Sequence, residues 1–312
     1  MKRLLDEVIM VNSVIIFGRT PPPVGGVTIS VMNLINSLGS LKCHVEVFKP
    51  STLFFFRKYD IAHIHYSSPF KRLFGIVLSL FVANKVIFTV HGKYCSVDNY
   101  FNKISLRIAS GVIVLNSSLK KYLLNEAPKV KTICFTSLFV EGVKLSNKRI
   151  EYFEREEGYK YLLVYAYKKV YSDDIEVYGI DFILDVFMML SGEYKLVLLD
   201  INGEFENEIQ GIKNIIYINN IVDFPSLLSQ VDVYIRPTSM DGSSVSILEA
   251  LMIGTPVIAS DVVERPPSVN CYKFRDKVDF LNVLALVDNN KVCTDKEFLS
   301  SIESYLNFCN NL

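Results

Sequence analysis

The sequence carries no net charge: 33 lysines and arginines offset 33 aspartates and glutamates across 312 residues. Without a net field nothing gathers a polyanion, so no nucleic-acid partner is expected. Close cysteine pairs are also missing. Cys43, Cys95, Cys134, Cys271, Cys293 and Cys309 are scattered, which excludes a metal knuckle or a two-cysteine redox motif and suits reduced thiols in cytosol. No apolar run reaches the roughly 20 residues that span a bilayer; the strongest, Leu73 to Ala83, is broken off by Asn84 and Lys85. Asp6 and Glu7 interrupt what would be the apolar region of a signal peptide, so a cytoplasmic chain is expected. There is no Asp-x-Asp pair to hold a metal, no internal repeat at a short period and no low-complexity segment.

What is present is apolar material in quantity: 50% hydrophobic and 21% charged residues, which excludes disorder. The length suffices for two domains, each with its own core. SVIIFG, a β-branched run closed by glycine, leads into the loop RTPPPVGG and then the apolar-periodic VTISVMNLINSL, which reads as strand, loop, helix. The alternation continues through HVEVF, DIAHIHY, KRLFGIVLSLFVA, KVIFTVHG, DNYFNKISLRIAS, GVIVLNSS and KTICF. Strands alternating with helices imply right-handed crossovers and a parallel sheet covered on both faces. The pattern lapses between about Val140 and Lys160, where the charged Glu154 to Glu157 marks the expected linker and hinge. A second series runs from YLLVYAY to PVIAS, and Asp276 to Leu312 reads as two helices. The expectation is therefore an α/β chain of two Rossmann-like doubly wound domains. They cover 1–150 and 151–312, and the C-terminal helices can cross back to the first domain.

Three places carry chemistry. In the first loop Gly25 and Gly26 lack Cβ atoms, so backbone can approach a ligand while the following helix N-terminus offers N–H groups to an anion. An ordinary turn is the alternative. His91 closes the strand KVIFTV just before Gly92, at the carboxyl end where ligands bind in open parallel sheets. Its imidazole can donate to sugar hydroxyls and act near neutral pH. His63 and His65 share one strand face by their spacing, but no third ligand is evident and no metal site is assigned. The third place is RPTSMDGSSVSILEALMIGTPVIAS, Arg236 to Ser260. A strand runs into a small-residue loop, Ser243 or Ser244 can cap the next helix, and the exposed N–H groups favour a diphosphate. Glu249 has Val245, Ser246, Met252 and Ile253 as helical neighbours, which is no solvated face, and its side chain should lean back toward Asp241 at the loop mouth. A buried glutamate satisfied by a neighbouring base is the plainer alternative.

This segment resembles the family-four glycosyltransferases of the GT-B fold. They have an acid, seven residues, then Glu and Ala-x-x-x-Gly-x-Pro-Val-Ile-Ala-Ser; here these are Asp241, Glu249, Ala250, Gly254, Pro256 and the run VIAS. GVTISVMNLINSL, DIAHIHY and TVHG resemble N-terminal segments of the same family. The resemblance implies a retaining, metal-independent transferase without cofactor, binding a nucleotide-sugar in a cleft between two facing domains. It further implies that Glu249 binds ribose hydroxyls and Asp241 and His91 contact the donor sugar. The backbone from Gly242 through Ser243, Ser244, Val245 and Ser246 would hold phosphate.

Two departures stand out. Asp241 replaces a glutamate, as is usual in one branch of the family. Tyr178-Gly179 stands where a Lys-Gly would help neutralise the diphosphate, leaving Arg236, Lys168 and Lys169 as candidate substitutes. The acceptor, a saccharide or lipid-linked saccharide of bacterial-type polysaccharide or glycoconjugate synthesis, is expected on the N-terminal domain. There a local basic bias beside LFFF and LFGIVLSLF would suit a peripheral position on an anionic membrane surface, the inner face of the membrane; core packing is the alternative for both apolar stretches. Rival readings are a nucleotide-sugar epimerase, which would need further acid/base residues, and a catalytically silent subunit of the same fold. A dinucleotide oxidoreductase would want Gly-x-Gly-x-x-Gly, which RTPPPVGGV lacks.

Overall fold

The computed structural model describes residues 11–21, 26–51, 58–91, 98–134, 150–190, 192–242, 244–287 and 301–312. Two compact units divide the chain: Met1–Glu141 with Lys296–Leu312, and Gly142–Asp295. The first contains β1 (Ser13–Phe17), α1 (Gly26–Ser40), β2 (His44–Val47), β3 (Tyr59–Ile64), α2 (Pro69–Ser79), β4 (Ala83–Thr89), α3 (Tyr100–Ile108), β5 (Gly111–Val114), α4 (Ser117–Glu126) and β6 (Lys131–Cys134). Its sheet has the order β2-β1-β3-β4-β5-β6, and all five pairings are parallel. Parallel strands buried on both faces read as unbroken apolar runs, and Val14, Ile15, Ile16 and Phe17 are indeed all buried. Asparagines start two of the helices: the Asn99 side chain accepts from Phe101 and Asn102 N–H, and Asn116 accepts from Leu119 N–H.

The second unit contains β7 (Lys160–Ala166), β8 (Tyr171–Ser172), β9 (Ile175–Glu176), α5 (Ile180–Phe187), β10 (Tyr194–Asp200), β11 (Ile215–Ile218), α6 (Phe224–Leu228), β12 (Val233–Arg236), α7 (Val245–Ile253), β13 (Val257–Ser260), β14 (Asn270–Tyr272) and α8 (Lys277–Val287). Its order is β11-β10-β7-β12-β13-β14, again all parallel, with β8 and β9 forming a small antiparallel ribbon. Each sheet thus has helices on its crossovers, the doubly wound arrangement.

The charged stretch near Glu154 is not the free hinge its composition suggests. Arg155 makes a two-pronged bond to Asp232 at 3.0 and 2.8 Å, donates to the Gln230 carbonyl and lies over the Tyr161 ring, while Glu156 pairs with Lys195. Those bonds fasten it to the second unit. The final helix, α9 (Ser301–Asn310), belongs to the first unit: Ile302, Tyr305, Leu306 and Cys309 pack with Val14, Ile16, Ile61, Ile87 and Ile113. α8, by contrast, lies in the second unit.

Leu306 is buried in this cluster, so Leu306→Ala should cost about 2–5 kcal/mol of stability. Chemical unfolding followed by circular dichroism should show the transition of the first unit moving and that of the second staying put; a shift of the second instead would place α9 wrongly.

Candidate active site

In the first unit, β3 and β4 bring three imidazoles together. His65 Nδ1 lies 2.9 Å from His91 Nε2, and the His63 and His65 rings stand 4.0 Å apart. His63 is bonded on both sides, to Thr89 Oγ1 at 2.7 Å and to the Tyr305 hydroxyl of α9 at 3.3 Å. Sequence spacing put His63 and His65 on one strand face but did not anticipate His91 as the partner of His65, because that contact depends on the register of β3 against β4. Among the described residues no cluster of His, Cys, Asp and Glu is arranged to hold a metal ion.

Burial pushes His91 down to about 4, with nearby Arg72 adding to the shift, and pushes His63 down to about 3; His65 is lowered by burial and by both neighbouring imidazoles. All three are therefore neutral at pH 7, and His91 serves as a hydrogen-bonding imidazole instead of a proton carrier near neutrality. One of the two rings in the His65–His91 bond must donate. His65 Nε2 is buried without a partner, and a buried lone pair is less costly than a buried orphan N–H. That favours His65 Nδ1–H as donor and leaves His91 its own Nδ1–H for other acceptors. Gly18, at the end of β1, lies close to His65 and to Val31 of α1: a Cβ there would meet each at 3.2 Å. Gly26 opens α1 with free space around it, whereas Gly25 lies outside the described residues.

The second unit gathers its polar groups at the carboxyl ends of β12 and β13, the edge where open parallel sheets bind ligands. Asp241 accepts from Arg236 Nε and Nη2 at 3.1 Å each, from Arg265 Nη1 at 2.7 Å and from the Gly242 N–H at 3.1 Å. Burial alone would raise the Asp241 carboxyl, but the two guanidiniums outweigh it and hold it below the usual range. Arg236 also packs over the Tyr178 ring, and Arg265 is anchored by its Nε to the Ser260 carbonyl. The sequence singled out Arg236 and Asp241 but not Arg265, whose only signal is its place a few residues beyond VIAS.

Ser244 is the N-cap residue of α7, as expected, yet its side chain does not cap. Its hydroxyl lies 2.9 Å from Ser246 Oγ, which in turn meets the Tyr234 hydroxyl at 2.7 Å. Among the described residues the first-turn N–H groups from Val245 onward thus have no side-chain cap; Ser243 lies outside the described residues. Glu249 is half-buried on the same helix, and no base satisfies it among the described residues. Burial, and then Asp223 at the start of α6, push its carboxyl up to about 7.

The other helix N-terminus at this edge is already filled. Glu176 is buried and accepts from Tyr178 and Ile180 N–H at 2.8 and 2.6 Å, so it caps α5. Gly179 sits at φ +71, where an added Cβ would strike the Pro237 carbonyl oxygen at 2.2 Å, so no other residue fits that crossing. Lys169 is paired with Glu208, and Lys168 is exposed.

Residues 170–281 match the family Glycosyl transferases group 1. No curated protein matches the chain in sequence. Among solved structures, HepE of Anabaena in complex with UDP and glucose is similar at 11% identity and TM-score 0.59, over 96% of this chain and 93% of that one. The catalytic domain of starch synthase IV from Arabidopsis thaliana, bound to ADP and acarbose, is similar at 13% identity and TM-score 0.62, covering 96% and 94%. The lipopolysaccharide outer core galactosyltransferase WaaB matches at 16% identity and TM-score 0.59, covering 96% and 98%. The two parallel-sheet α/β units are those of GT-B glycosyltransferase structures.

Stability should depend on pH through the buried imidazoles. Their folded pKa values are depressed, so the unfolded chain takes up protons first and stability falls as pH drops below about 6.5 toward 3–4. Denaturant unfolding at pH 7 and pH 5 should show losses of up to about 2 kcal/mol per imidazole, reduced in His63→Asn; an unchanged pH slope in that variant would contradict the burial argument.

Proposed function

We propose that the protein is a retaining glycosyltransferase that moves a sugar from a nucleotide-sugar to a saccharide acceptor. The observation that carries this reading is the edge of the second unit, inside the span matched to the glycosyl transferases. The helix that begins just after the Arg236–Asp241 pair has, among the described residues, no side-chain cap on its N-terminus and carries a half-buried carboxylate with no base beside it. N–H groups and guanidinium suit a diphosphate, and Glu249 suits a pair of ribose hydroxyls. The neighbours in complex with UDP or ADP support the same substrate class. In the reaction the bond from the anomeric carbon to the diphosphate oxygen breaks, its electron pair leaving on the diphosphate. The acceptor hydroxyl oxygen bonds to that carbon and gives up its proton to the departing diphosphate oxygen. The positive charge stabilising the departing diphosphate comes from protein groups, so no metal or other cofactor is part of the proposal. The family resemblance assigns His91 and Asp241 to the sugar end of the donor; the proposal keeps His91 there, while Asp241 is already engaged by Arg236 and Arg265.

We further assign the acceptor to the first unit and to lipid-linked saccharides, which puts the protein at the cytoplasmic face of an anionic membrane. Phe70, Phe74 and Val77 recur at helical spacing on α2 and are exposed, the two rings by 61% and 59%, and Leu80 and Phe81 follow them at the surface. Phe70 packs edge-on against Phe101 of the neighbouring α3. Neither helix carries an acidic residue, whereas Lys71, Lys103 and Arg107 are exposed on them. Aromatic side chains beside lysines and arginines match a surface of anionic lipid.

Transfer or donor hydrolysis in EDTA, across a panel of nucleotide-sugars, tests the central reading, because a silent subunit would release nothing above buffer. Glu249→Ala should fold and bind the nucleotide about 10- to 100-fold more weakly. In the unmodified protein affinity should fall below pH 7, since ribose hydroxyls bind the ionised carboxylate and the raised pKa means a proton must leave first. Equal affinity in Glu249→Ala would remove the ribose assignment.

For the membrane assignment, sedimentation with phosphatidylglycerol vesicles should carry the protein down and phosphatidylcholine vesicles should not. Joint replacement of Phe70, Phe74 and Phe81 by serine should abolish the effect; retained binding would show that this face is not the one used.

A further inference from the structure

The ion cluster at the edge of the second unit does not balance. Two guanidiniums share one carboxylate, and the side chains of Arg236, Arg265 and Asp241 are exposed by only 13%, 2% and 7%. A net positive charge so far from water is costly unless something else neutralises it. Arg236 spends two donors on Asp241 and its face on Tyr178. Arg265 spends Nε on Ser260 and Nη1 on Asp241, but its Nη2 is buried and has no acceptor. An orphaned guanidinium nitrogen at such a place calls for an anion.

Neighbouring alternatives for that anion are closed. Glu176 fills the N-terminus of α5, and Glu208 takes the charge of Lys169. What remains is α7, whose first-turn N–H groups have no side-chain cap among the described residues and which begins just after the loop carrying Asp241.

We propose that Arg265 is a donor-binding residue whose Nη2, together with Arg236, takes the charge of a diphosphate, and that Asp241 is the counter-ion positioning both guanidiniums and not a ligand of the sugar. The proposal deepens the glycosyltransferase reading and rests on it for the nucleotide. The anion site itself needs only a pyrophosphate group. The same two arginines answer what stands in for the missing Lys-Gly: Arg236 ends β12, paired in register with Ala259, and Arg265 lies in the loop that follows the adjacent β13.

The test uses the full chain, with inorganic pyrophosphate and the nucleoside mono- and diphosphates of uridine, adenosine and guanosine as titrants, followed by calorimetry. Arg265→Gln is expected to weaken pyrophosphate and the bound nucleoside diphosphate about 10- to 100-fold while leaving the monophosphate within a few-fold. Arg265→Lys, which keeps the charge, should lose less and guards against a misfolded glutamine variant, with thermal unfolding as the check on both. In Asp241→Asn the affinities for nucleoside diphosphate and for nucleotide-sugar should move together. Pyrophosphate binding that depends on Arg265 without any nucleotide binding would uphold the anion site and overturn the reading of function. Pyrophosphate affinity unaffected in either Arg265 variant, or mono- and diphosphate weakened alike, would overturn the role of Arg265. A selective loss of nucleotide-sugar affinity in Asp241→Asn would return Asp241 to the sugar.

Discussion

Parallel pairing is the constraint from which the other features follow. A parallel strand can be joined to its neighbour only through a crossover, so within each unit all carboxyl ends lie along one edge and the loops that leave them are neighbours. His91 follows β4 and touches His65, which follows β3. Asp241 follows β12, and Arg265, in the loop after β13, reaches it. Residues 24 apart in the chain are in contact for no other reason than that their strands are hydrogen-bonded side by side.

The two edges hold their polar groups differently. In the first unit, burial keeps three imidazoles neutral, and they bond to one another, to Thr89 and to Tyr305. In the second, charges are kept as charges, because a carboxylate between two guanidiniums recovers in Coulomb attraction and hydrogen bonds part of what burial removes. Glu249 has neither solution: its carboxyl is raised by burial and faces another carboxylate, Asp223.

Much of this was legible in the sequence. Strand–helix alternation announced two parallel sheets, and the spacing from Asp241 to Glu249 with the run VIAS marked the loop that the structure places at a sheet edge. Three features were not legible, each for a physical reason. Arg265 has no periodicity to betray it, since it acts from a loop and its partner is fixed by tertiary folding. The Ser244 hydroxyl could have capped α7 by every local rule, but Tyr234 beneath it orders Ser246, and Ser246 offers that hydroxyl a different partner. The charged stretch around Glu154 looked unattached because Arg155 pairs with Asp232, a long-range contact invisible to a local reading.

The return of α9 ties the imidazole chain to the far end of the sequence. Tyr305 is buried against the sheet, its ring stacked 5.6 Å from that of His63 and its hydroxyl on His63 Nδ1. The first unit therefore takes one wall of its core and one partner of His63 from a helix that follows the whole second unit in the chain. During synthesis the second unit, which lies wholly between the two parts of the first, is made before α9 can close the first. The order in which elements leave the ribosome and the order in which the two cores can be completed thus differ, and the imidazole cluster gains its Tyr305 hydrogen bond only after the second unit has been made.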